Sequence, residues 1–161
     1  METLPIPPAS TIFKDIKVDF VSTTEGDDQR GFVPGYHFCI LNSGGVNVGH
    51  VNFRVGDTDH IRLAAGHIGF EILKEHQGNH YASKACLALA SWIGRFNKPI
   101  LITADPDNLA SIRTIQHIGG VFIDEVEVPN GDPHFLRGSL RKRRYQWDPN
   151  QAEQPVDSNP H

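Results

Sequence analysis

Two hydrophobic periods divide this chain. Within Gly66–Leu73 the apolar residues Ile68, Phe70 and Ile72 alternate with His67, Gly69 and Glu71, which predicts a strand. Further on, Ala82, Cys86, Leu89, Ile93 and Phe96 recur at spacings of four and three, which predicts an amphipathic helix. Between them lies the short polar stretch Lys74–Ser83, whose glycine is Gly78. Strand, tight loop and helix follow one another. A loop that feeds a helix N-terminus presents unpaired N–H groups and the positive end of the helix dipole, which suits an anion and most often a phosphate.

The same periods order the rest. Residues 1–10 carry Pro5, Pro7 and Pro8 and read as an extended lead-in. Phe13–Val21 predicts a first strand, and Ser22–Gly35 a polar loop able to hold a short helix. A loop of that length in a compact domain is more often functional than passive. Tyr36–Leu41 and Val46–Val55 flank Asn42-Ser43-Gly44-Gly45, a hairpin whose glycines supply the positive φ its turn needs. In the second of these strands Val51, Phe53 and Val55 face one way, and His50, Asn52 and Arg54 the other. That polar row is either a solvated sheet face or the wall of a substrate site.

Gly56–Ala65 is a polar connection with Ile61 and Leu63 in it. Pro99–Ala104 predicts a short buried strand, and Asp105 or Asp107 a cap for a second helix over Asn108–Ile118, ended by Gly119-Gly120. Val121–Val128 predicts a strand, Pro129–Pro133 a turn and Arg141–Trp147 a last strand, whose basic run Arg141–Arg144 reads as the charged guard of an exposed edge. Residues 148–161 have few large apolar side chains and are expected to form a mobile tail, leaving 1–147 as a single domain. The order β-β-β-β-α-β-α-β-β implies an α/β fold with a mixed, mainly antiparallel sheet and helices packed on both faces.

A chain of 161 residues can bury roughly 70% of its unfolded surface in one core. Its net charge of −4 and pI near 6.1 argue against a nucleic-acid partner. Cys39 and Cys86 lie in separate apolar segments and read as core thiols of a reducing compartment. No signal peptide or membrane-length apolar run is evident, so a cytoplasmic address without a membrane partner is expected. His76 and His80 have the spacing of a helical metal pair, but Gly78 between them and the lack of a third ligand predict no metal.

Lys74–Ser83 matches neither the dinucleotide fingerprint nor the P-loop. Gln77-Gly78-Asn79-His80-Tyr81-Ala82 instead resembles the pyrophosphate loop of the GNAT acetyltransferase superfamily, with His80 where that family has Gly. Asp107–Gly120 resembles the superfamily's second motif. Gly66-His67-Ile68-Gly69-Phe70, Ile102–Ser111, Ile118–Val121 and Arg144-Tyr145-Gln146-Trp147 are similar to a group of bacterial GNAT acetyltransferases. The likeness spans about residues 36–147. It implies a GNAT-like fold whose N-terminal helical region is reduced to Ser22–Gly35, with acetyl-CoA as cosubstrate. It further implies acetyl transfer to a primary amine of a small molecule or peptide by direct attack on the thioester. Ile115 stands where the family often has a tyrosine acid. With His80, it motivates the alternative of an acyl-CoA-binding module with little or no turnover.

Carried over residue by residue, the resemblance implies a pyrophosphate on the N–H groups of Gln77, Gly78, Asn79, His80, Tyr81, Ala82 and Ser83. The pantetheine arm would run along Phe70, Ile72 and Leu73, with the Leu73 N–H as oxyanion donor. Asn108 and Ser111 would approach that arm, or else cap their helix. The Cβ of His80 could obstruct the phosphate, or its imidazolium could pair with it. His67 is the first candidate base and Glu71 the second, both on one strand face, with a structural His67 as the alternative. Thiolate protonation falls to solvent or to a group such as Tyr145. His50, Asn52 and Arg54 are the candidate acceptor wall, Arg54 favouring a carboxylate or phosphate beside the amine. Pairing through the Arg141–Trp147 edge would give a homodimer.

Overall fold

The computed structural model describes residues 5–152 and turns the alternating segments into strands. They are β1 (Ser10–Phe13), β2 (Ile16–Thr24), β3 (Gly35–Leu41), β4 (Asn47–Arg54), β5 (Ile68–Ile72), β6 (Ile100–Ala104), β7 (Val121–Glu127) and β8 (Arg141–Trp147). The helices are α1 (Tyr81–Gly94), α2 (Leu109–His117) and the single turn α3 (Pro133–Leu136). Strands β1 to β5 form a five-stranded sheet in sequence order, and β6, β8 and β7 a three-stranded one with β8 in the middle. Every ladder within them is antiparallel. The architecture is α/β and mainly antiparallel, as expected, but the mixed sheet is divided in two between β5 and β6.

The strand period decides what is buried. Tyr36, Phe38 and Ile40 of β3 and Val51 and Phe53 of β4 face a core completed by Ala85, Leu89, Trp92 and Ile93 of α1. The Trp92 ring meets Tyr36, Phe38 and Phe53 edge-on at 4.9, 5.6 and 5.5 Å. Each such pair contributes about 0.5–1.5 kcal/mol beyond the area it buries. Trp147 is buried at the end of β8, and its Nε1–H donates to the Ile118 carbonyl at 3.0 Å, tying the sheet to the end of α2.

Four local expectations change. The first strand is a hairpin: Phe13 pairs with Ile16 across Lys14 and Asp15, and Lys14 takes φ 55° to make the turn. Ile61–Ala65 winds into a π-helical turn that buries Ile61. The cap of α2 is Asn108 rather than Asp105 or Asp107. Finally, β8 is not an exposed edge. Its basic run lies between two strands, where Arg141 meets Glu125, Arg144 grips Asp124 at 2.7 and 2.8 Å, and Lys142 reaches Asp105 at 2.7 Å. The exposed edge of that sheet is β7, with Val121, Phe122 and Ile123 in solvent.

The start of the expected tail is docked, since Pro149–Gln151 forms a 3-10 turn against α1 and Pro149 is buried. The remainder of the tail, 153–161, and residues 1–4 of the lead-in lie outside the described residues.

Candidate functional site

Strands β5 and β6 are the facing edges of the two sheets, and one residue joins them. The His67 N–H donates to the Leu101 carbonyl at 2.7 Å, while its own carbonyl accepts from Arg54 N–H at 2.7 Å. The His67 ring repeats the link. Its Nδ1 accepts the Leu101 N–H and its Nε2 lies against the Gly56 carbonyl, both at 2.9 Å. A backbone N–H can only donate and a carbonyl only accept, so the ring is the neutral Nε2–H tautomer. Burial pushes its pKa below the ordinary value, against the opposing pull of the Gly56 carbonyl and Asp57. In this arrangement His67 has no lone pair free for a substrate proton.

Past His67 no ladder connects β5 to β6, so the two edges part. Gly69 is the first position beyond the junction on the His67 face. A Cβ there would lie 2.7 Å from Arg54 Nη2, so the glycine makes room for a guanidinium. Arg54 Nη1 donates to the carbonyls of Ala65 and Gly66 at 3.1 and 3.3 Å, and burial lowers its pKa.

The outer edge of β5 carries the groups a long ligand could use. Leu73, expected to offer its N–H to an oxyanion, instead donates it to the Val48 carbonyl at 2.9 Å. Antiparallel ladders alternate, so residues one position away turn their polar groups outward. Phe70 and Ile72 therefore present theirs to the gap. Gln77 Nε2 takes the Ile72 carbonyl at 3.1 Å.

The loop that follows is open. Its first turn, Lys74–His76, uses the N–H of Gln77 on the Lys74 carbonyl, which removes Gln77 from the expected set of free donors. From Gly78 through Asn79, His80, Tyr81, Ala82 and Ser83 the backbone N–H groups meet no acceptor among the described residues, and α1 has no side-chain cap. Gly78 and His80 both sit at positive φ, 91° and 61°, and bend the chain as it enters α1. His80 therefore keeps a glycine-like backbone. Its ring turns to α2 and stacks on His117 with centroids 5.4 Å apart.

The remaining expected residues disperse. Asn108 accepts the Ser111 N–H at 3.1 Å as the cap of α2. His50 stands 3.9 Å from Glu71, both exposed. Asn52 Oδ1 bonds His37 Nδ1 at 2.9 Å, and His37 Nε2 reaches Thr24 Oγ1 at 3.0 Å. Arg54 lines a cavity of about 860 Å³ together with Arg95 and Lys98. His50, Asn52 and Arg54 thus share a sheet face without converging on one point.

Sequence reasoning missed one pair. His60 Nδ1 lies 2.6 Å from Asp132 Oδ2, with side-chain exposures of 15% and 5%. The other oxygen, Oδ1, accepts His134 N–H at 2.8 Å as the cap of α3. The two residues are 72 positions apart, and no local pattern announces them. His134 packs beside His60 at 5.7 Å, and burial, aided by Lys142 and Arg137, pushes its pKa down to about 4. Cys39 and Cys86 are free thiols, and burial pushes the Cys86 thiol up to about 12. No three His, Cys, Asp or Glu side chains gather to hold a metal among the described residues, where no helix is long and apolar enough to cross a membrane.

The unpaired edge of β5 thus leads to a helix N-terminus whose N–H groups have no acceptor among the described residues. The profile of the acetyltransferase (GNAT) domain matches residues 11–121, well over half of the chain, and the chain belongs to that family of acyltransferases. Similar solved structures include the ribosomal-protein-S5-alanine acetyltransferase of Vibrio fischeri, with 12% identity over 91% of this chain and all of that one, and a TM-score of 0.62. The microcin C7 self-immunity acetyltransferase MccE, in complex with acetyl-CoA and AMP, has 20% identity over 75% and 62% of the two chains and a TM-score of 0.53. The ribosomal L7/L12 alpha-N-protein acetyltransferase RimL, in complex with coenzyme A, has 20% identity over 74% and 64%, also with a TM-score of 0.53. At these identities the likeness is one of fold. No curated protein sequence matches the chain.

Proposed function

We propose that the chain is an acetyl-CoA-dependent N-acetyltransferase that acetylates a primary amine of a small molecule or peptide by direct attack on the thioester. The observation that carries this reading is the run of unpartnered N–H groups from Gly78 to Ser83 beside the unpaired edge of β5. Donors at a helix N-terminus favour a diphosphate, and an unpaired strand edge accepts amide groups as an added strand would. The N–H of Phe70 or Ile72 then replaces that of Leu73 as oxyanion donor, because Leu73 spends its own on β4. With both nitrogens occupied, His67 contributes by holding the junction, and Glu71 stays an exposed second candidate base. The free thiols suit a reducing, cytoplasmic setting. Were the chain to pair with itself through this sheet, the available edge is β7.

The test is thermal unfolding with acetyl-CoA, followed by thiol release across a panel of amines. A ligand at one hundred times its Kd should add about 2.7 kcal/mol of stability. No shift at millimolar acetyl-CoA overturns the reading. A shift without thiol release on any amine favours the alternative, an acyl-CoA-binding module.

A further inference from the structure

We propose that His60, oriented by Asp132, is the group that takes the proton from the acceptor's ammonium, and that the cavity it lines receives the acceptor amine. The inference rests on the acetyltransferase reading above and adds a site to it. The Asp132 carboxylate accepts from Nδ1–H, which leaves the lone pair on Nε2. This is the reverse of His67, whose lone pair is consumed by Leu101 N–H. Of these two imidazoles only His60 is arranged to act as a base.

The pair is tightly determined. Asp132 is 8% exposed and caps α3 with its second oxygen, so its carboxylate has little freedom. Burying a carboxylate is costly unless it is bonded, and here both oxygens are. The Phe32 ring packs on His60 at 4.8 Å and carries Arg30 on it at 4.3 Å. A cavity of about 640 Å³ opens beside them, lined in part by Asp28, Asp59, Asp132 and Arg30. Carboxylates outnumber cations in that lining, which favours an ammonium. The charged and titratable groups around His60 are Asp132, its neighbour Asp59 bound to Arg62, His134, Arg30 and Asp28.

The pair is also tied to both sheets. His60 immediately precedes the π-helical turn Ile61–Ala65. The Ala64 carbonyl in that turn accepts Thr103 Oγ1 of β6 at 2.6 Å, and the Ala65 carbonyl accepts Arg54 Nη1 of β4 at 3.1 Å. His60 thus directly precedes a turn that is anchored to β6 of one sheet and to β4 of the other.

The step balances as follows. The ammonium gives one proton to His60 Nε2, and the freed nitrogen lone pair forms a bond to the thioester carbonyl carbon. The carbon–sulfur bond breaks with its electron pair on sulfur. The second N–H proton neutralises that thiolate through solvent, and His60 returns its proton to water.

The experiment compares the full chain with His60→Asn and Asp132→Asn, using acetyl-CoA and a panel of primary amines. Acetyl-CoA should shift the melting of all three alike, because neither residue lies in the Gly78–Ser83 loop. At neutral pH kcat/KM for the amine should fall about 100-fold or more in His60→Asn. The deficit should shrink as pH rises and the amine arrives already neutral, and the acid limb of the wild-type profile should be missing. Activity within about threefold of wild type, or a deficit that is the same at every pH, overturns the inference. So does a wild-type chain that binds acetyl-CoA and acetylates no amine. A wild-type chain that shows no acetyl-CoA shift takes down the acetyltransferase reading first.

Discussion

The Nδ1 of His67 accepts the backbone N–H of Leu101 at 2.9 Å, so a side chain joins the two sheets where the ladder stops. Together with the backbone bond between the same residues it sets the point from which β5 and β6 part. Whatever lies in that opening is positioned by this junction.

His67→Ala would leave the Leu101 N–H and the Gly56 carbonyl without their partner in a half-buried place. An unsatisfied buried group costs about 1–3 kcal/mol, which corresponds to a fall in Tm of roughly 3–10 °C in a chain of this size. Denaturant unfolding should report the loss without any ligand present. A variant as stable as wild type would show that the imidazole does not hold the junction.

Gly69→Ala tests the contact between β5 and Arg54. The added Cβ would come within 2.7 Å of Arg54 Nη2 and force the guanidinium away. Arg54 then loses its bonds to the Ala65 and Gly66 carbonyls, which hold the end of the π-helical turn. A destabilisation of about 1–3 kcal/mol is expected, and Arg54→Lys should share it, because an ammonium on a flexible stem does not reproduce the guanidinium's planar fork. The two substitutions combined should cost little more than either alone, as expected of residues in one contact.

How far the sequence could be read depended on whether the deciding interaction was local. The period of Ile68, Phe70 and Ile72 and that of Cys86, Leu89 and Ile93 were set by burial on one face, so β5 and α1 were legible. The Lys14–Asp15 turn was not, because a lysine at positive φ carries none of the Asn-Gly or Gly-Gly chemistry that marks such turns. The position of β8 depended on partners far away in the chain. The run Arg141–Arg144 looks like an exposed guard until Asp105, Asp124 and Glu125 are brought opposite it. Within the site, the loop Gly78–Ser83 was visible as a motif, whereas the tautomer of His67 and the His60–Asp132 pair arise only when distant loops meet.

Acid should weaken the fold in a defined window. His134 is held to about 4, chiefly by burial, whereas an imidazole in an unfolded chain titrates near ~6.5. The unfolded state therefore takes up the proton first. The stability associated with neutral His134 is intact above about 6.5, drains away as the pH falls toward about 4, and changes no further below that. His67, shifted in the same direction by burial, adds to the same fall. Asp105, where the bonds from Lys142 and Ser139 outweigh burial and lower the pKa, acts at more acid pH, with its contribution lost only below the ordinary carboxylate range. Tm measured from pH 7.5 to 4 should decline mostly below 6.5, and His134→Gln should flatten that decline. An unchanged slope in the variant would remove His134 from the account.

The loop's departure from glycine at position 80 makes the sharpest prediction about the coenzyme. His80 occupies φ 61° and ψ 26°, the left-handed region, where a residue with a Cβ is held at a cost of about 1–2 kcal/mol. His80→Gly relieves that strain but loosens the unfolded chain and loses the stack on His117, so net stability should move little. If the N–H groups from Gly78 to Ser83 hold the phosphates, coenzyme A affinity should stay within about threefold by titration calorimetry, at pH 6 and at pH 8 alike. His80→Val, β-branched and poorly suited to positive φ, should distort the same donors and lower affinity about tenfold or more, equivalent to ~1.4 kcal/mol. If His80→Gly instead lost affinity at pH 6 alone, the imidazolium would be the phosphate's partner, and the ring would have to leave His117 to reach it.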